Sequence, residues 1–525
     1  MNEQAGGAAT SIAGELPKRE LANEPDGGLA NKSADNPADA LADELADELA
    51  DESSFQWTRQ WYPMAIAAYL DPKKPHAMQL LGKHVVLWQD GTQTWRCFED
   101  ACPHRLAPLS EGRVEADGTL LCAYHAWRFD GKGQCDRIPQ AKDIETEARH
   151  RQNPKACAIA HPTQVKQGLV WVWGDSGAAA FQESQQRAPR TIPELDDTSG
   201  RVIKNSWNFR DLPYGWDFFI ENVADPAHVP VTHHGLVGNR YTGAKYYDMP
   251  RLRESTTQDG FAFGISPTPE NVVMAGHDFQ PPCLMRISTE FKDGGEFILV
   301  LYATPTRPGW CRHIGQQVLV KNTAGKVPKG LAFFALPMPI WLNHVLASLF
   351  LHQDMVFLHY QEKMVAQRQK QRQQTRWIDE VYTPNPQDKM IVAFRQWLEK
   401  RAGGGVPWHN DLALPAAALG KQQLFDVWHT HTEQCQVCQK ALVRINWVRR
   451  LAYGSAIVLF GLALMIDSRA IAASDKISTA MLITLPPTSF WILIFTAVLA
   501  GGVGYGLQRL RRLFYFYAFE HSQND

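Results

Sequence analysis

Two Cys-His pairs constrain the fold of this chain more than any other feature. Cys102-Pro103-His104 is followed, after 17 residues, by Cys122-Ala123-Tyr124-His125. Four metal-ligating side chains on two short segments require two loops that face each other across one metal centre. They fit either a tetrahedral zinc ion or a two-iron centre in which two thiolates hold one iron and two imidazoles hold the other. The C-x-H spacing is unusual for a zinc finger and favours the second alternative, a Rieske 2Fe-2S cluster bound by Cys102, His104, Cys122 and His125.

The residues beside these ligands indicate which kind of Rieske centre this is. Imidazole ligands raise the reduction potential of such a cluster, which places it between a reductase and an oxygen-activating iron. Electron-transfer subunits of respiratory and photosynthetic complexes add a further cysteine to each loop, and the two cysteines form a disulfide. Ala107 and Tyr124 occupy those places here, so the sequence predicts the lower-potential type found in oxygenases.

A second segment with candidate metal ligands extends from Glu221 to His233. His228 and His233 provide two neutral imidazoles, and a carboxylate beside them would complete the facial triad of a non-haem Fe(II) site. On an ideal helix the two histidines diverge, so we expect Pro230 to bend the chain between them. Asp354, a polar residue entering an apolar helical run, is the predicted carboxylate ligand. Asp225 is too close in sequence and is expected to accept a hydrogen bond from a ligand histidine instead.

Composition and patterning divide the chain into five segments of an α+β protein. The first carries 13 acidic against 3 basic residues and lacks aromatics, which predicts a disordered tail. Short apolar runs separated by turn residues then predict an all-β domain, and mixed strand and helix patterns predict a second domain. The predicted segments are 1–54 (acidic tail), 55–180 (Rieske domain), 195–442 (mononuclear iron domain), 451–507 (transmembrane hairpin) and 508–525 (C-terminal tail).

Two apolar runs near the C-terminus predict membrane-spanning helices. Leu451–Ile466 is a 16-residue run without a charge and Thr488–Leu507 is a 20-residue run without one. A pair of buried core helices is the alternative. Arginines flank the outer ends of both runs, so the positive-inside rule favours a hairpin with both ends, and the catalytic domains, on the cytoplasmic or stromal side. Leu331–Phe350 is also apolar but contains two prolines, and is expected to line a pocket or lie at an interface.

Cys435 and Cys438 form a C-x-x-C pair just before the first of these runs. Three interpretations stay open: a dithiol switch, a zinc site completed by His429 or His431, and two inert thiols. Nine cysteines in 525 residues are too sparse for a disulfide scaffold. A slight excess of basic residues, spread through the rest of the chain without clustering, predicts no nucleic-acid partner.

Four motifs together resemble one branch of the Rieske oxygenases, which includes pheophorbide a oxygenase, a chloroplast translocon-associated oxygenase, protochlorophyllide oxygenase-like proteins and chlorophyllide a oxygenase. The resemblance extends from about residue 55 to the end, and its motifs are 102–113, 122–129, 133–141 and 221–235. It implies a Rieske domain followed by a helix-grip catalytic domain, and usually a trimer. It implies the ligand roles given above, with Asp225 coupling the two centres. Ala126 departs from the branch, which usually has glycine there.

The resemblance also implies a function. We expect a membrane-tethered mono-oxygenase that uses O2 and electrons from ferredoxin or a similar donor to oxygenate a chlorophyll-derived tetrapyrrole such as pheophorbide a. The C-x-x-C pair, which several members of the branch carry, suggests thioredoxin as a regulator. Alternatives are a hydroxylase of a linear or other tetrapyrrole, a redox-sensing membrane component and an electron carrier. The tail favours a cyanobacterial host, and hence a thylakoid or plasma membrane.

Overall fold

The computed structural model describes residues 54–373, 376–408, 417–474 and 487–523. Residues 1–53 of the predicted acidic tail lie outside these ranges, and so do residues 475–486 between the two apolar runs. The described residues form one compact unit. It is an α+β structure, which confirms the predicted fold class: sheets with short loops come first, then one large sheet with helices, then two long apolar helices.

The strands and helices are numbered in chain order. The strands are β1 (Trp61–Ile66), β2 (His76–Leu80), β3 (Lys83–Gln89), β4 (Trp95–Glu99), β5 (Arg113–Val114), β6 (Leu120–Leu121), β7 (Arg128–Phe129), β8 (Cys135–Arg137), β9 (Ala160–His161), β10 (Thr163–Lys166), β11 (Leu169–Trp173), β12 (Val202–Lys204), β13 (Asn208–Leu212), β14 (Arg251–Thr256), β15 (Gly260–Gly264), β16 (Val272–Gln280), β17 (Leu284–Phe291), β18 (Glu296–Arg307) and β19 (Trp310–Val320). The helices are α1 (Ile144–Arg151), α2 (Gly177–Gln185), α3 (Trp216–Ala224), α4 (Val229–Thr232), α5 (Ile340–Arg372), α6 (Lys389–Arg401), α7 (Lys421–Leu424), α8 (Gln436–Ser474) and α9 (Thr488–Arg512).

Strands β1 to β11 form three antiparallel sheets, in the orders β1-β11-β10, β2-β3-β4-β9 and β5-β6-β7-β8. All five residues of β11 are buried because this strand is the centre of its sheet. The short strands β5 to β8 pack around a separate small core that includes Trp88, Phe98 and Phe129. Cys102 and Cys122 belong to that core, so the cysteine side of the predicted cluster is enclosed by apolar side chains.

An eight-stranded antiparallel sheet forms the second half of the body, in the order β12-β19-β18-β17-β16-β15-β14. Strand β19 is long enough to pair with two partners, so β13 joins it beside Cys311–Gly315 and β12 joins it beside Val318–Val320. Helix α3 packs on β17, β18 and β19, and helix α5 packs on β13 and α3. The sheet therefore supports helix α5, which carries Asp354, and helix α3, which ends shortly before His228 and His233.

Helix α5 is 33 residues long and starts earlier than its sequence pattern predicts. Its first residue is Ile340, directly after Pro339, so much of the apolar stretch Leu331–Phe350 is the beginning of this helix. Its buried side chains recur at intervals of three and four: His344, Ser348, Leu351, Met355, Leu358, Glu362 and Val365. That spacing keeps one face against the protein along the whole helix. Two polar residues of interest, His344 and Asp354, are both buried.

Helices α8 and α9 pack against each other and are each long and apolar enough to cross a membrane. The qualifying segments are Gln436–Arg469 and Thr488–Arg512, whose most apolar 18-residue windows have mean hydropathies of 1.7 and 1.9. Little of either apolar window is buried in the protein, unlike the core helices of the alternative interpretation. Arg449 and Gln508 are hydrogen-bonded between the two helices at their arginine-rich ends.

Candidate metal centres

The two Cys-His loops share one backbone geometry. The N–H of Leu106 donates to the carbonyl of Cys102 (2.8 Å), and the N–H of Ala126 donates to the carbonyl of Cys122 (2.9 Å). Each loop closes with a further hydrogen bond, from Cys102 N–H to Ala107 and from Cys122 N–H to Trp127. Two similar hairpins of this kind present their cysteine and histidine side chains from opposite sides, as one shared centre requires.

The departure at Ala126 has a structural explanation. Ala126 has a φ of 58° and its counterpart Leu106 has a φ of 59°, so both loops turn through the left-handed region. Glycine adopts that conformation freely, whereas a residue with a Cβ is strained by roughly 1–2 kcal/mol. The alanine is therefore accommodated at the position where the branch usually has glycine, and it leaves the four ligand side chains in place.

The four side chains suit a Rieske cluster. The side chains of Cys102 and Cys122 are buried, and burial raises the pKa of Cys102 to about 12, with a further contribution from Cys122. Thiolates there need positive charge, which cluster iron provides. The rings of His104 and His125 lie 4.6 Å apart. The Nδ1 atom of His104 is buried without a hydrogen-bond partner among the described residues, as expected of a metal-ligating nitrogen.

His228 and His233 lie at the two ends of the single-turn helix α4. Pro230 occupies the first turn of this helix, where its missing N–H leaves no carbonyl unpaired. The expected bend inside a longer helix is therefore wrong: the chain breaks after α3, begins a new turn at Val229 and ends it at His233. The two imidazole rings converge to a centroid distance of 5.5 Å because the helix between them is so short.

Asp354 reaches these two histidines from helix α5. Its carboxylate oxygens lie 3.4 Å from Nε2 of His233 and 3.9 Å from Nε2 of His228. Two atoms that are each about 2.1 Å from one ion can be at most about 4.2 Å apart, so both distances fit ligands of a single metal. Nε2 of His233 is buried and has no hydrogen-bond partner in the described chain. Two imidazoles and one carboxylate are the donor types of the facial triad of Fe(II) sites, which leaves positions open for O2.

The charge states around the triad depend on burial. Desolvation raises the pKa of Asp354 to about 7 and lowers that of His233 to about 4. Desolvation opposes protonation of His228 as well, but the contact of its Nδ1 atom with the Asp225 carboxylate and the negative charges of Asp354 and Asp225 raise its pKa above the usual value. A bound cation would stabilise the buried Asp354 carboxylate, and the two histidines beside it could help to hold that cation.

Two polar partners of the triad carry no pattern that would single them out in the sequence. Oε1 of Gln353 lies 2.8 Å from Nδ1 of His233 and accepts a hydrogen bond from it when that nitrogen is protonated, leaving Nε2 for the metal. The Asn222 side chain hydrogen-bonds the Asp354 carboxylate. Phe350 stacks on the His233 ring at 3.9 Å and fixes its plane. For Gln353 the one sequence signal is its place in the polar run 352–354, which lies between apolar residues of helix α5.

Asp225 lies on the opposite side of His228 from Asp354. Its Oδ2 atom is 3.6 Å from Nδ1 of His228, and its Oδ1 atom accepts a hydrogen bond from the N–H of Ala227 (2.7 Å). The side chain is 23% exposed, whereas that of Asp354 is 7% exposed. Asp225 therefore touches a candidate iron ligand and reaches the surface, while Asp354 is enclosed.

Cys435 and Cys438 meet two histidines from elsewhere in the chain. The donor atoms of His344, His431, Cys435 and Cys438 all lie within 4.8 Å of one another, and all four residues are buried. Of the two histidines named from the sequence, only His431 contributes. His429 is 71% exposed and pairs with Asp426 at 2.5 Å. His344, from α5, was not predicted, because nothing near it in sequence suggests a ligand.

Four histidines outside these groups have ordinary partners. His161 and His313 are buried, and each has Nδ1 at hydrogen-bonding distance from a backbone carbonyl, of Trp173 and Tyr302 respectively. His76 bonds the Asp71 carbonyl and His84 approaches Gln79. Neither metal-ligand grouping found among the described residues includes any of these four.

The triad makes a direct prediction for Asp354→Ala. We expect the iron content of the purified full-length protein to fall from about three to about two atoms per chain, because the mononuclear site loses its carboxylate while the cluster is untouched. Elemental analysis with the visible and EPR spectra of the cluster measures both. Asp379→Ala, which removes an exposed acid, is the matched control. Retention of three iron atoms in Asp354→Ala would exclude Asp354 as a ligand.

Two family models match separate parts of this chain. Residues 60–148 match the family model of the Rieske [2Fe-2S] domain, and residues 279–372 match that of pheophorbide a oxygenase. The second match includes Asp354. A solved structure of the NdmA QL mutant with theobromine, from Pseudomonas putida CBB5, aligns with a TM-score of 0.47 at 18% identity, covering 69% of this chain and 97% of that one.

Curated relatives share most of their length with this chain. Pheophorbide a oxygenase of Oryza sativa subsp. japonica is 31% identical over 89% of this chain and 85% of its own. Flavonoid 8-hydroxylase 2 of Ocimum basilicum is 33% identical over 74% of each. The pheophorbide a oxygenase of Arabidopsis thaliana is 32% identical over 76% of this chain and 75% of its own. The chain therefore belongs to the pheophorbide a oxygenase branch of the Rieske non-haem iron oxygenases.

Proposed function

We propose that this protein is a membrane-tethered mono-oxygenase that inserts oxygen into a chlorophyll-derived tetrapyrrole resembling pheophorbide a. Membership of the family makes it a Rieske oxygenase with a 2Fe-2S cluster and a mononuclear iron. The observation that carries the proposal is the convergence of His228, His233 and Asp354, since a sensor or an electron carrier would need no mononuclear iron site.

The surroundings of the triad favour a large hydrophobic substrate. The segment after His233 exposes Leu236 (54%), Val237 (53%) and Tyr241 (76%). Soluble surfaces rarely expose several large apolar side chains in succession unless they contact a ligand, a partner or a membrane. Beside them, Phe350 presents its ring face to His233. A flat, apolar macrocycle suits such a surface, because burial of both apolar areas would bind it next to the iron.

Three residues of this site would bind the iron, and two neighbouring residues would orient those ligands. When bound, the mononuclear iron supplies the site of O2 activation. His228, His233 and Asp354 hold it from one side, Gln353 fixes the tautomer of His233, and Asn222 orients the Asp354 carboxylate. Their enclosure by the sheet and by α5 limits access of water to the site.

Electron supply is proposed to come from ferredoxin or a similar donor through the Rieske cluster, with the protein working as a trimer. Asp225 supports this arrangement, because it is partly exposed and lies 3.6 Å from His228. A carboxylate there connects the iron ligand to the surface, where a neighbouring subunit's cluster would dock. Thioredoxin remains a prediction from the Cys435/Cys438 pair alone.

The apolar helices α8 and α9 support the proposed membrane attachment. They expose Ile457 (73%), Phe495 (69%) and Val498 (68%), among other large apolar residues. Lipid is the environment in which such surfaces are stable. The arginines at the outer ends support a catalytic body on the cytoplasmic or stromal side by the positive-inside rule, and a thylakoid or plasma membrane of a cyanobacterium is the proposed location. A tethered enzyme would meet a lipid-soluble pigment directly in the bilayer.

The coupling role of Asp225 is tested with Asp225→Asn. The amide keeps the size of the side chain but loses the negative charge beside Nδ1 of His228, so we expect turnover to fall by roughly 10- to 100-fold. The cluster should still be reduced by the donor and the iron content should be unchanged. Asp259→Asn, an acid paired with Arg190 on the surface, is the control. Full activity in Asp225→Asn would show that electron transfer to the iron does not require the Asp225 carboxylate.

The substrate class is tested by offering pheophorbide a and a flavone separately to the full-length protein with O2 and a reduced ferredoxin system. We expect an oxygenated product from pheophorbide a, detected by liquid chromatography and mass spectrometry, and none from His228→Ala. The flavone is a necessary comparison because flavonoid 8-hydroxylase 2 is as similar to this chain as the pheophorbide a oxygenases are. Oxygenation of the flavone alone would replace the proposed substrate and keep the oxygenase.

A further inference from the structure

We propose that His344, His431, Cys435 and Cys438 bind a structural zinc ion that fastens helix α5 to the start of helix α8. The four donor atoms come from two separate parts of the chain, α5 and the segment 431–438, and lie within 4.8 Å of one another. This site shares no ligand with the cluster loops or with the iron triad.

The distances between the donors are those of a tetrahedral site. Nδ1 of His344 and Nε2 of His431 each lie 3.3 Å from the Cys438 sulfur, and Nδ1 of His344 lies 3.7 Å from the Cys435 sulfur. With Zn–S bonds of about 2.3 Å and Zn–N bonds of about 2.05 Å, tetrahedral geometry places sulfur and nitrogen about 3.6 Å apart. The protein positions its ligands to within a few tenths of an ångström of that arrangement.

The outer nitrogens of both histidines already have the partners that metal ligands need. Nε2 of His344 bonds the carbonyl of Trp207 (3.0 Å), and Nδ1 of His431 bonds the carbonyl of Phe209 (2.8 Å). Each carbonyl can only accept, so each outer nitrogen must carry the proton. The inner nitrogens are then unprotonated and point at the cysteines. Backbone carbonyls in this role are typical second partners of zinc-bound histidine.

Burial and charge favour a structural metal over a redox switch. Cys435 and Cys438 are 0% and 1% exposed, so a reducing protein has no access to either sulfur in the folded chain. Two thiolates and one Zn²⁺ sum to zero charge, which suits an enclosed site. Two sulfurs and two nitrogens complete a four-coordinate shell without an open position, as in structural rather than catalytic zinc sites.

The placement of the ligands indicates what the ion would do. His344 is on α5, ten residues before Asp354, so about 15 Å of helix separates the two centres. Cys438 is in the first turn of α8, which continues into the first apolar segment. Zinc would therefore fix the iron-ligand helix to the proposed membrane helix, and removing it should loosen both.

Zinc and iron content of the full-length protein, purified without added zinc or chelator, test the inference. We expect about one zinc per chain, and a zinc K-edge absorption spectrum with two sulfur ligands at about 2.3 Å and two nitrogen ligands at about 2.0–2.1 Å. The spectrum is element-specific, so the iron centres do not interfere. Both measurements use the wild-type protein, so their results hold even if the variants fold poorly.

Variants locate the ion. Cys438→Ser and His344→Ala should lose zinc, while keeping the cluster spectrum and melting at a lower temperature. His429→Ala removes a histidine from the same segment that points to solvent, and it should keep about one zinc. Wild-type protein without zinc, with a Cys435/Cys438 peptide lighter by two hydrogen atoms, would overturn the inference in favour of a disulfide. Equal zinc in Cys438→Ser and wild type would also overturn it.

Discussion

A buried carboxylate, Asp354, is the constraint on which the catalytic half of this protein depends. An isolated charge so far from water is strongly unfavourable, and its pKa of about 7 reflects that desolvation. The fold compensates by bringing His228, His233 and Asn222 to the same point, where a cation would stabilise the charge. The eight-stranded sheet and the long helix α5 supply the rigid support that holds these groups together.

Helix α5 connects the chemistry to the rest of the molecule. One buried face carries Asp354 beside the iron triad and His344 beside the cysteine pair, while its C-terminal half packs around Glu362 and Val365. A displacement of this helix would affect both groups at once, because a helix transmits shifts along its axis. The proposed zinc ion would therefore stabilise the geometry of the iron site without touching it, and would link that geometry to the helices proposed to enter the membrane.

The sequence predicted those parts of the site that depend on short-range spacing. The Cys102 and Cys122 loops and the pair His228/His233 each lie within a few residues of their partners, so their patterns are visible along the chain. Asp354 could be proposed only as a polar residue in an apolar helix. His344 was missed because it lies 94 residues before Cys438, and only the packing of α5 on the C-terminal segment brings them together. The sequence predicted a bend at Pro230, whereas the structure has a break between α3 and α4. That break depends on tertiary packing, which the local sequence pattern does not reveal.

The central claim is that oxygen insertion occurs at the iron bound by His228, His233 and Asp354. The most direct test uses full-length protein that is fully reduced without air, mixed with pheophorbide a and then exposed to isotopically labelled O2. The account predicts one labelled oxygen atom in the product of a single turnover, together with oxidation of the Rieske cluster, and no product from His228→Ala. Oxidation of the cluster without any labelled tetrapyrrole would contradict the proposed activity, and labelled product from His228→Ala would contradict the proposed site.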